Sequence, residues 1–146
     1  MNKTLIIGSG GYIGSRLMKE INATGVDINW FKKGKKDVDF KDLTRDYYSE
    51  FDNIILLAGH SSVKMSEGNL NSCFNNNVRN FIDLLEKLDN QKLIYASSSS
   101  VYGSVGGKTV NEKYFGFEPY NQYDISKHVA DLYAQKSNVE YYALRF

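Results

Sequence analysis

The chain predicts an α/β domain, a doubly wound parallel sheet of about six strands with helices on both faces. Three observations lead there. Short apolar runs alternate along the chain with amphipathic segments of helical period, the pattern of strand–helix–strand units. The run Ile54-Ile55-Leu56-Leu57-Ala58 is apolar at every position, as a strand covered on both faces should be. The first run, Thr4-Leu5-Ile6-Ile7, stops at glycines in positions 8, 11 and 14, and an amphipathic segment follows at once.

Each element has its own signal. Residues 3–8 are a buried strand. Residues 12–23 are a helix with Ile13, Leu17 and Ile21 spaced along one face, closed by Gly25. Ile28 to Phe31 make a second strand, Lys32 to Lys36 a polar loop around Gly34, and Val38 to Phe40 a third strand. Asp42 caps a short helix through Tyr48. The run at 54–58 is the fourth strand, and residues 60–71 are polar and loop-like. Phe74, Val78, Phe81, Leu85 and Leu88 trace a helical stripe over residues 72–89. Lys92 to Ser97 form the fifth strand. Residues 103–119 are glycine-rich and irregular, and hold the only proline, Pro119. A helix over 121–136 and a sixth strand, Tyr141 to Phe146, complete the order. No repeat or linker divides the chain, so residues 1–146 form one domain. In such sheets ligands bind outside the carboxyl ends of the strands, at the switch point between strands one and four.

Composition narrows the classes of function. No apolar run approaches the ~20 residues of a membrane span, and no leader with a small-residue cleavage site opens the chain. The single cysteine, Cys73, has no internal disulfide partner, fits a reducing cytoplasm and reads as a small core residue. A net charge of +1 gives no general pull toward nucleic acid or membrane. His60 and His128 have no metal-ligand spacing and read as structural or surface residues, so no metal site is expected. The Asn75-Asn76-Asn77 run reads as helix surface.

The glycines carry chemistry. Gly8 permits the sharp turn off the first strand, Gly11 lets backbone approach a pyrophosphate, and Gly14 allows helix to pack closely on strand. The helix N-terminus then presents N–H groups and a positive dipole end to phosphates. Further on, Tyr123 and Lys127 stand four apart and share one face of their helix. A phenol titrates near ~10, and a neighbouring ammonium favours the phenolate, which suits a proton donor and acceptor for hydroxyl–carbonyl interconversion. The serines at 97–100 lie where the fifth strand ends, and one of them there is placed to hold a substrate oxygen.

Glycine triplet, strand-end serine and Tyr-x-x-x-Lys in this order resemble the extended short-chain dehydrogenase/reductase family of nucleotide-sugar epimerases, dehydratases and reductases, built on the Rossmann fold. Gly8-x-x-Gly11-x-x-Gly14, Leu57-Ala58-Gly59, Asn77-Val78, Ser98 four before Tyr102, and Pro119-x-x-x-Tyr123-x-x-x-Lys127 carry the resemblance over essentially the whole chain. It implies that Ser98, Tyr123 and Lys127 are catalytic: Tyr123 passes the proton, Lys127 binds the nicotinamide ribose and lowers the Tyr123 pKa, and Ser98 holds the reacting oxygen. It implies cofactor contacts at Gly8, Gly10, Gly11, Tyr12, Ile13, Gly14, Asp39, Phe40, Leu57, Ala58, Gly59 and Asn77, besides Tyr123 and Lys127.

NAD-preferring members place an acid at the end of strand two. Counting along the strand puts Lys32 there, with Lys33 beside it, while Asp27 falls too early; the lysines attract a 2′-phosphate, so NADP is favoured over NAD. Ser99 and Ser100 stand where dehydratases carry Asp-Glu, which leaves an epimerase-like or keto-reductase-like reaction on a nucleotide-sugar. Family members run to about twice this length, so the substrate-binding part is missing here. The chain is then either a portion of a longer enzyme or a short form completed by a partner; a dinucleotide-binding module without chemistry is the alternative. A cytoplasmic homodimer through the helices at 72–89 and 121–136 is expected.

Overall fold

The computed structural model describes residues 2–28, 38–114, 116 and 118–146. Five strands form one parallel sheet: β1 (Thr4–Ile7), β2 (Thr24–Val26), β3 (Asn53–Leu56), β4 (Lys92–Ser97) and β5 (Tyr141–Arg145), in the order β2-β1-β3-β4-β5. The helices are α1 (Tyr12–Glu20), α2 (Arg45–Ser49), α3 (Val63–Ser66), α4 (Leu70–Phe74), α5 (Asn80–Lys87) and α6 (Gln122–Lys136). From β1 the chain runs outward to β2 on one side, then returns to β3 on the other, which makes the β1–β3 boundary the switch point. The doubly wound parallel sheet expected from the sequence is present, with five strands among the described residues rather than six.

The registers Leu5↔Ile54↔Leu93 and Ile7↔Leu56↔Tyr95 align one face of the sheet. That face packs Phe81, Leu84, Leu85 and Leu88 around α5, Ala130 and Ala134 of α6, and Tyr48 and Phe51 beside α2 into a single core. The opposite face carries the row Gly25, Ile6, Ile55, Ile94, Tyr142. Ile6 is fully buried there, Ile55 and Ile94 are half-buried, and Tyr142 is 52% exposed. A Cβ on Gly25 would meet Met18 Sδ at 3.1 Å, so α1 covers this face at its β2 end.

Several expected elements move. α1 ends at Glu20, and Gly25 lies inside β2 instead of closing the helix. Ile13 and Ile21 are exposed, because Gly14 and not the isoleucine stripe is the residue pressed on the sheet. Thr24–Val26 forms the strand that pairs with β1, and residues 29–31 of the strand expected from Ile28 to Phe31 lie outside the described residues. The third strand expected from Val38 to Phe40 is not formed: Phe40 opens a 3₁₀ turn, Phe40–Asp42, and Val38 donates its N–H to Asp27 O at 2.9 Å, just past β2. Asp39 turns the chain by accepting the Lys41 N–H, and Thr44 rather than Asp42 caps the following helix. Residues 60–71 are not all loop, since α3 and the start of α4 fall there. The continuous helix expected over 72–89 is interrupted by a π turn, Asn75–Arg79, in which Asn80 N–H returns to the Asn75 carbonyl. The extra residue rotates Phe74 out to 55% exposure and turns Asn77 inward. Lys32 to Lys36 lie outside the described residues.

Candidate active site

The glycine turn after β1 is built by close approach of backbone. Gly8 has φ +89°, and a Cβ there would stand 2.7 Å from Ala58 N. A Cβ on Gly14 would stand 2.1 Å from Gly8 O, so neither position tolerates a side chain without displacing the strand or the helix. Gly8 and Ser9 donate to Val26 O at 2.9 and 3.2 Å, and Gly11 donates to Gly8 O at 3.1 Å. Gly11 is the N-cap of α1, and no side chain caps it. The first-turn N–H groups at Tyr12, Ile13 and Gly14 are thus left to an outside acceptor. An uncapped first turn held against the strand by close-packed glycines presents backbone N–H groups that suit a pyrophosphate.

At the end of β2 the structure corrects the sequence reading. The strand stops at Val26, so Asp27 is its first residue beyond the carboxyl end, and the Asp27 carboxylate accepts the Gly10 N–H at 2.7 Å. The expectation that Asp27 comes too early assumed a strand at 28–31. Lys32 and Lys33, the expected phosphate contacts, lie outside the described residues. Asp39 is half-buried and Phe40 buried on the 3₁₀ turn, and Asp39 lines a polar cleft of about 500 Å³ with Ser72, Asn75, Asn76 and Arg79.

Leu57, Ala58 and Gly59 follow β3 at the switch point, with Leu57 donating to Ile7 O at 2.8 Å. Gly59 has φ +137°, and its missing Cβ leaves room for Asn77 Oδ1. Asn77 is 6% exposed. It accepts His60 N–H at 2.8 Å and donates to His60 O at 3.1 Å and to Ser126 Oγ at 3.0 Å. It therefore staples the loop after β3 to α6, and is not helix surface. Cys73 is buried nearby, with Sγ 3.9 Å from Gln122 O. His60 Nε2 meets Ser72 Oγ at 3.0 Å, and buried His128 pairs with Asp124 O and Gly116 O, so both histidines have structural contacts.

α6 starts at a reciprocal cap. Asn121 Oδ1 accepts Asp124 N–H, and Asp124 Oδ2 accepts Tyr120 N–H and the Asn121 amide. This fixes Tyr123 in the first turn and Lys127 one turn later. Lys127 Nζ lies 5.7 Å from the centre of the Tyr123 ring and donates to Ala96 O at 2.9 Å. Burial pushes the Lys127 ammonium below the ordinary lysine range, opposed by Asp131 and then Cys73. Ser98, two residues past Ala96, is buried and accepts the Ser100 N–H at 3.2 Å as it caps the 3₁₀ turn Ser99–Tyr102. Lys127 thus ties the helix bearing Tyr123 to the strand end bearing Ser98. Ser100 Oγ and His60 Nδ1 are buried with no protein partner.

Two residues escaped sequence reasoning. Asp27 follows directly on β2, and Gly25-Val26-Asp27 carried the signal of a strand running into an acid. Asp131 sits four residues after Lys127 on the buried face of α6, where a lone acid was a legible oddity. Among the described residues no group of three His, Cys, Asp or Glu side chains is placed to hold a metal, and no helix is long and apolar enough to cross a membrane.

A doubly wound sheet with an uncapped glycine turn at its switch point and a Tyr–Lys helix against strand β4 defines a dinucleotide-binding fold of the short-chain dehydrogenase type. The chain belongs to the NAD dependent epimerase/dehydratase family, whose model matches residues 4–146. It is 30% identical to Protein CapI of Staphylococcus aureus over 93% of this chain and 47% of that protein. It is 29% identical to the UDP-glucose 4-epimerase of Lacticaseibacillus casei over 67% of this chain and 36% of that one. Among solved structures it resembles MoeE5, seen in complex with UDP-glucose and NAD, at a TM-score of 0.83 and 25% identity over 99% of this chain and 54% of that chain. The chain spans half or less of the curated relatives it matches.

Proposed function

We propose that this chain is the cofactor-binding and catalytic portion of an NAD-dependent nucleotide-sugar epimerase, with Ser98, Tyr123 and Lys127 as its reacting set. The observation that carries this is the union of Tyr123, Lys127 and the Ser98 strand end through the Lys127–Ala96 bond of 2.9 Å. The UDP-glucose in a relative's name and in the MoeE5 complex supports a uridine-diphosphate sugar as substrate. Asp27 supports NAD over NADP, since a carboxylate at the end of β2 repels a 2′-phosphate and accepts ribose hydroxyls.

The nicotinamide, when bound, supplies the hydride chemistry. The α1 N-terminus and Gly11 would hold the pyrophosphate of the dinucleotide, and Lys127 the ribose next to its nicotinamide. Tyr123 takes the proton from a sugar hydroxyl as the phenolate and returns it as the phenol. Lys127, held cationic, favours that phenolate. Ser98 donates a hydrogen bond to the reacting oxygen and so places it beside Tyr123. In this reading the enzyme is cytoplasmic, with its single cysteine, Cys73, a buried free thiol. Leu70 and Phe74 on α4, with Ile125, Leu132 and Tyr133 on α6, are exposed and apolar, which supports homodimerisation through these helices.

UDP-glucose incubated with the chain and NAD tests the proposal, with the 4-epimer followed by NMR of its anomeric proton. Wild type forms the epimer, whereas Tyr123→Phe binds NAD and forms none. NAD binding with no turnover, and no difference between the two chains, would instead favour a dinucleotide-binding module, the reading that the half-length match to relatives keeps open.

A further inference from the structure

Asp131 is 2% exposed, and the reaction above gives it no task. A carboxylate removed from water loses several kcal/mol of hydration unless charge and hydrogen bonds replace it. Here they do. Oδ1 accepts the Tyr95 hydroxyl at 2.7 Å, Oδ2 accepts the Ser97 hydroxyl at 3.0 Å, and Arg145 Nη2 stands 3.8 Å away. Asp131 also lies one helical turn beyond Lys127, on the same face of α6.

These contacts converge on three consecutive residues at the end of β4. Ala96 O is held by Lys127, Ser97 Oγ is held by Asp131, and Ser98 comes next. Arg145 extends the cluster, with its guanidinium 4.9 Å from the Tyr102 ring centre and bonded to Glu112 O at 3.0 Å. Arg145 is thus in ion-pair range of this buried anion, and Lys127 stands one helical turn from it, bonded to the residue next to Ser97.

We infer that Asp131 is a positioning residue: its carboxylate supplies the buried negative charge one turn from Lys127 and locks the end of β4, with Ser98, against α6. Its meaning for catalysis rests on the roles proposed above for Ser98, Tyr123 and Lys127. Lys127 is faced by Tyr123 and Asp131 from its own helix and by Cys73 from α4. Asp131 is faced by Tyr95 from β4 and Arg145 from β5. Burial drives Lys127 toward the neutral amine, and Asp131 is the foremost influence against it. A neutral amine cannot draw the Tyr123 phenol toward phenolate.

The test is an NMR titration of the chain labelled with ¹³C,¹⁵N-lysine, following Lys127 Nζ, assigned by its disappearance in Lys127→Arg. Asp131→Asn, which keeps the shape and removes the charge, lowers the Lys127 midpoint by about one pH unit or more. Tyr95→Phe, which removes a hydroxyl and no charge held at that pH, leaves the midpoint in place. An Asp131→Asn chain that titrates with wild type overturns the inference. So does a Tyr95→Phe chain whose midpoint falls as far as that of Asp131→Asn. Should Asp131→Asn fail to fold, wild type labelled with both ¹³C,¹⁵N-lysine and ¹³C-aspartate decides: the Asp131 ¹³Cγ shift must inflect at the Lys127 midpoint, and a flat trace overturns the inference. No cofactor or sugar enters this titration, so failure of the chain to bind NAD would sink the proposed function and leave the Asp131 result standing.

Discussion

The Asp27 carboxylate accepts the Gly10 N–H at 2.7 Å, which ties the carboxyl end of β2 to the glycine turn after β1. One acid therefore braces the glycine turn, and in the proposed function it also faces the ribose. Asp27→Ala weakens NAD binding and narrows the gap between NAD and NADP by about tenfold, because the repulsion of the 2′-phosphate goes with the carboxylate. Competition of the two cofactors measured on both chains checks this.

Gly14 has no room for a side chain. Gly14→Ala puts a Cβ 2.1 Å from Gly8 O and costs about 3 kcal/mol as α1 is forced off the sheet. Gly68, at φ +74° with open space around it, is the control. Gly68→Ala pays only the left-handed backbone penalty, about 1 kcal/mol. Urea unfolding of the two variants separates the two costs.

Asn77→Ala removes the partner of the His60 N–H and carbonyl and the donor to Ser126 Oγ, which keeps its bond to Tyr123 O. The expected loss is about 2 to 3 kcal/mol of stability, concentrated where the loop after β3 meets α6. Hydrogen exchange checks the location: the His60 amide loses protection, and the β1 amides keep theirs.

Alkaline pH acts on two buried phenols. Burial raises Tyr48, whose hydroxyl donates to Phe40 O. Burial, then the charge and hydrogen bond of Asp131, raise Tyr95. Both keep their protons in the folded chain where the unfolded chain loses them. Their contribution is complete below about pH 10, the unfolded value, and stability falls above it by about 1.4 kcal/mol per pH unit per tyrosine. Lys127 works in the opposite sense until its unfolded value near 10.5 is passed. Tyr48→Phe and Tyr95→Phe should each flatten the stability-against-pH slope above that point, which chemical unfolding at several alkaline pH values measures.

The sheet and the placement of Tyr123 and Lys127 were legible in the sequence because they rest on local signals. These are apolar runs of strand length, glycines at 8, 11 and 14, and a four-residue spacing on a capped helix. What was hidden depended on tertiary packing. Gly25 reads as a helix stop in isolation, but lies in β2 because Ser9 and Met18 leave no room for a Cβ. β2 therefore ends at Val26, with Asp27 next, while Lys32 and Lys33 lie outside the described residues. Asn77 reads as surface until the π turn rotates it inward, and an inserted turn leaves no mark in hydrophobic spacing. Asp131 needed Tyr95 and Ser97 of a strand more than 30 residues earlier to explain it.

Calorimetric titration of the chain with NAD and with NADP tests the central claim most directly. The account predicts that NAD binds in a one-to-one complex, about tenfold or more tighter than NADP. Tighter binding of NADP would contradict the role given to Asp27, and binding of neither would contradict the assignment of a dinucleotide site to the glycine turn.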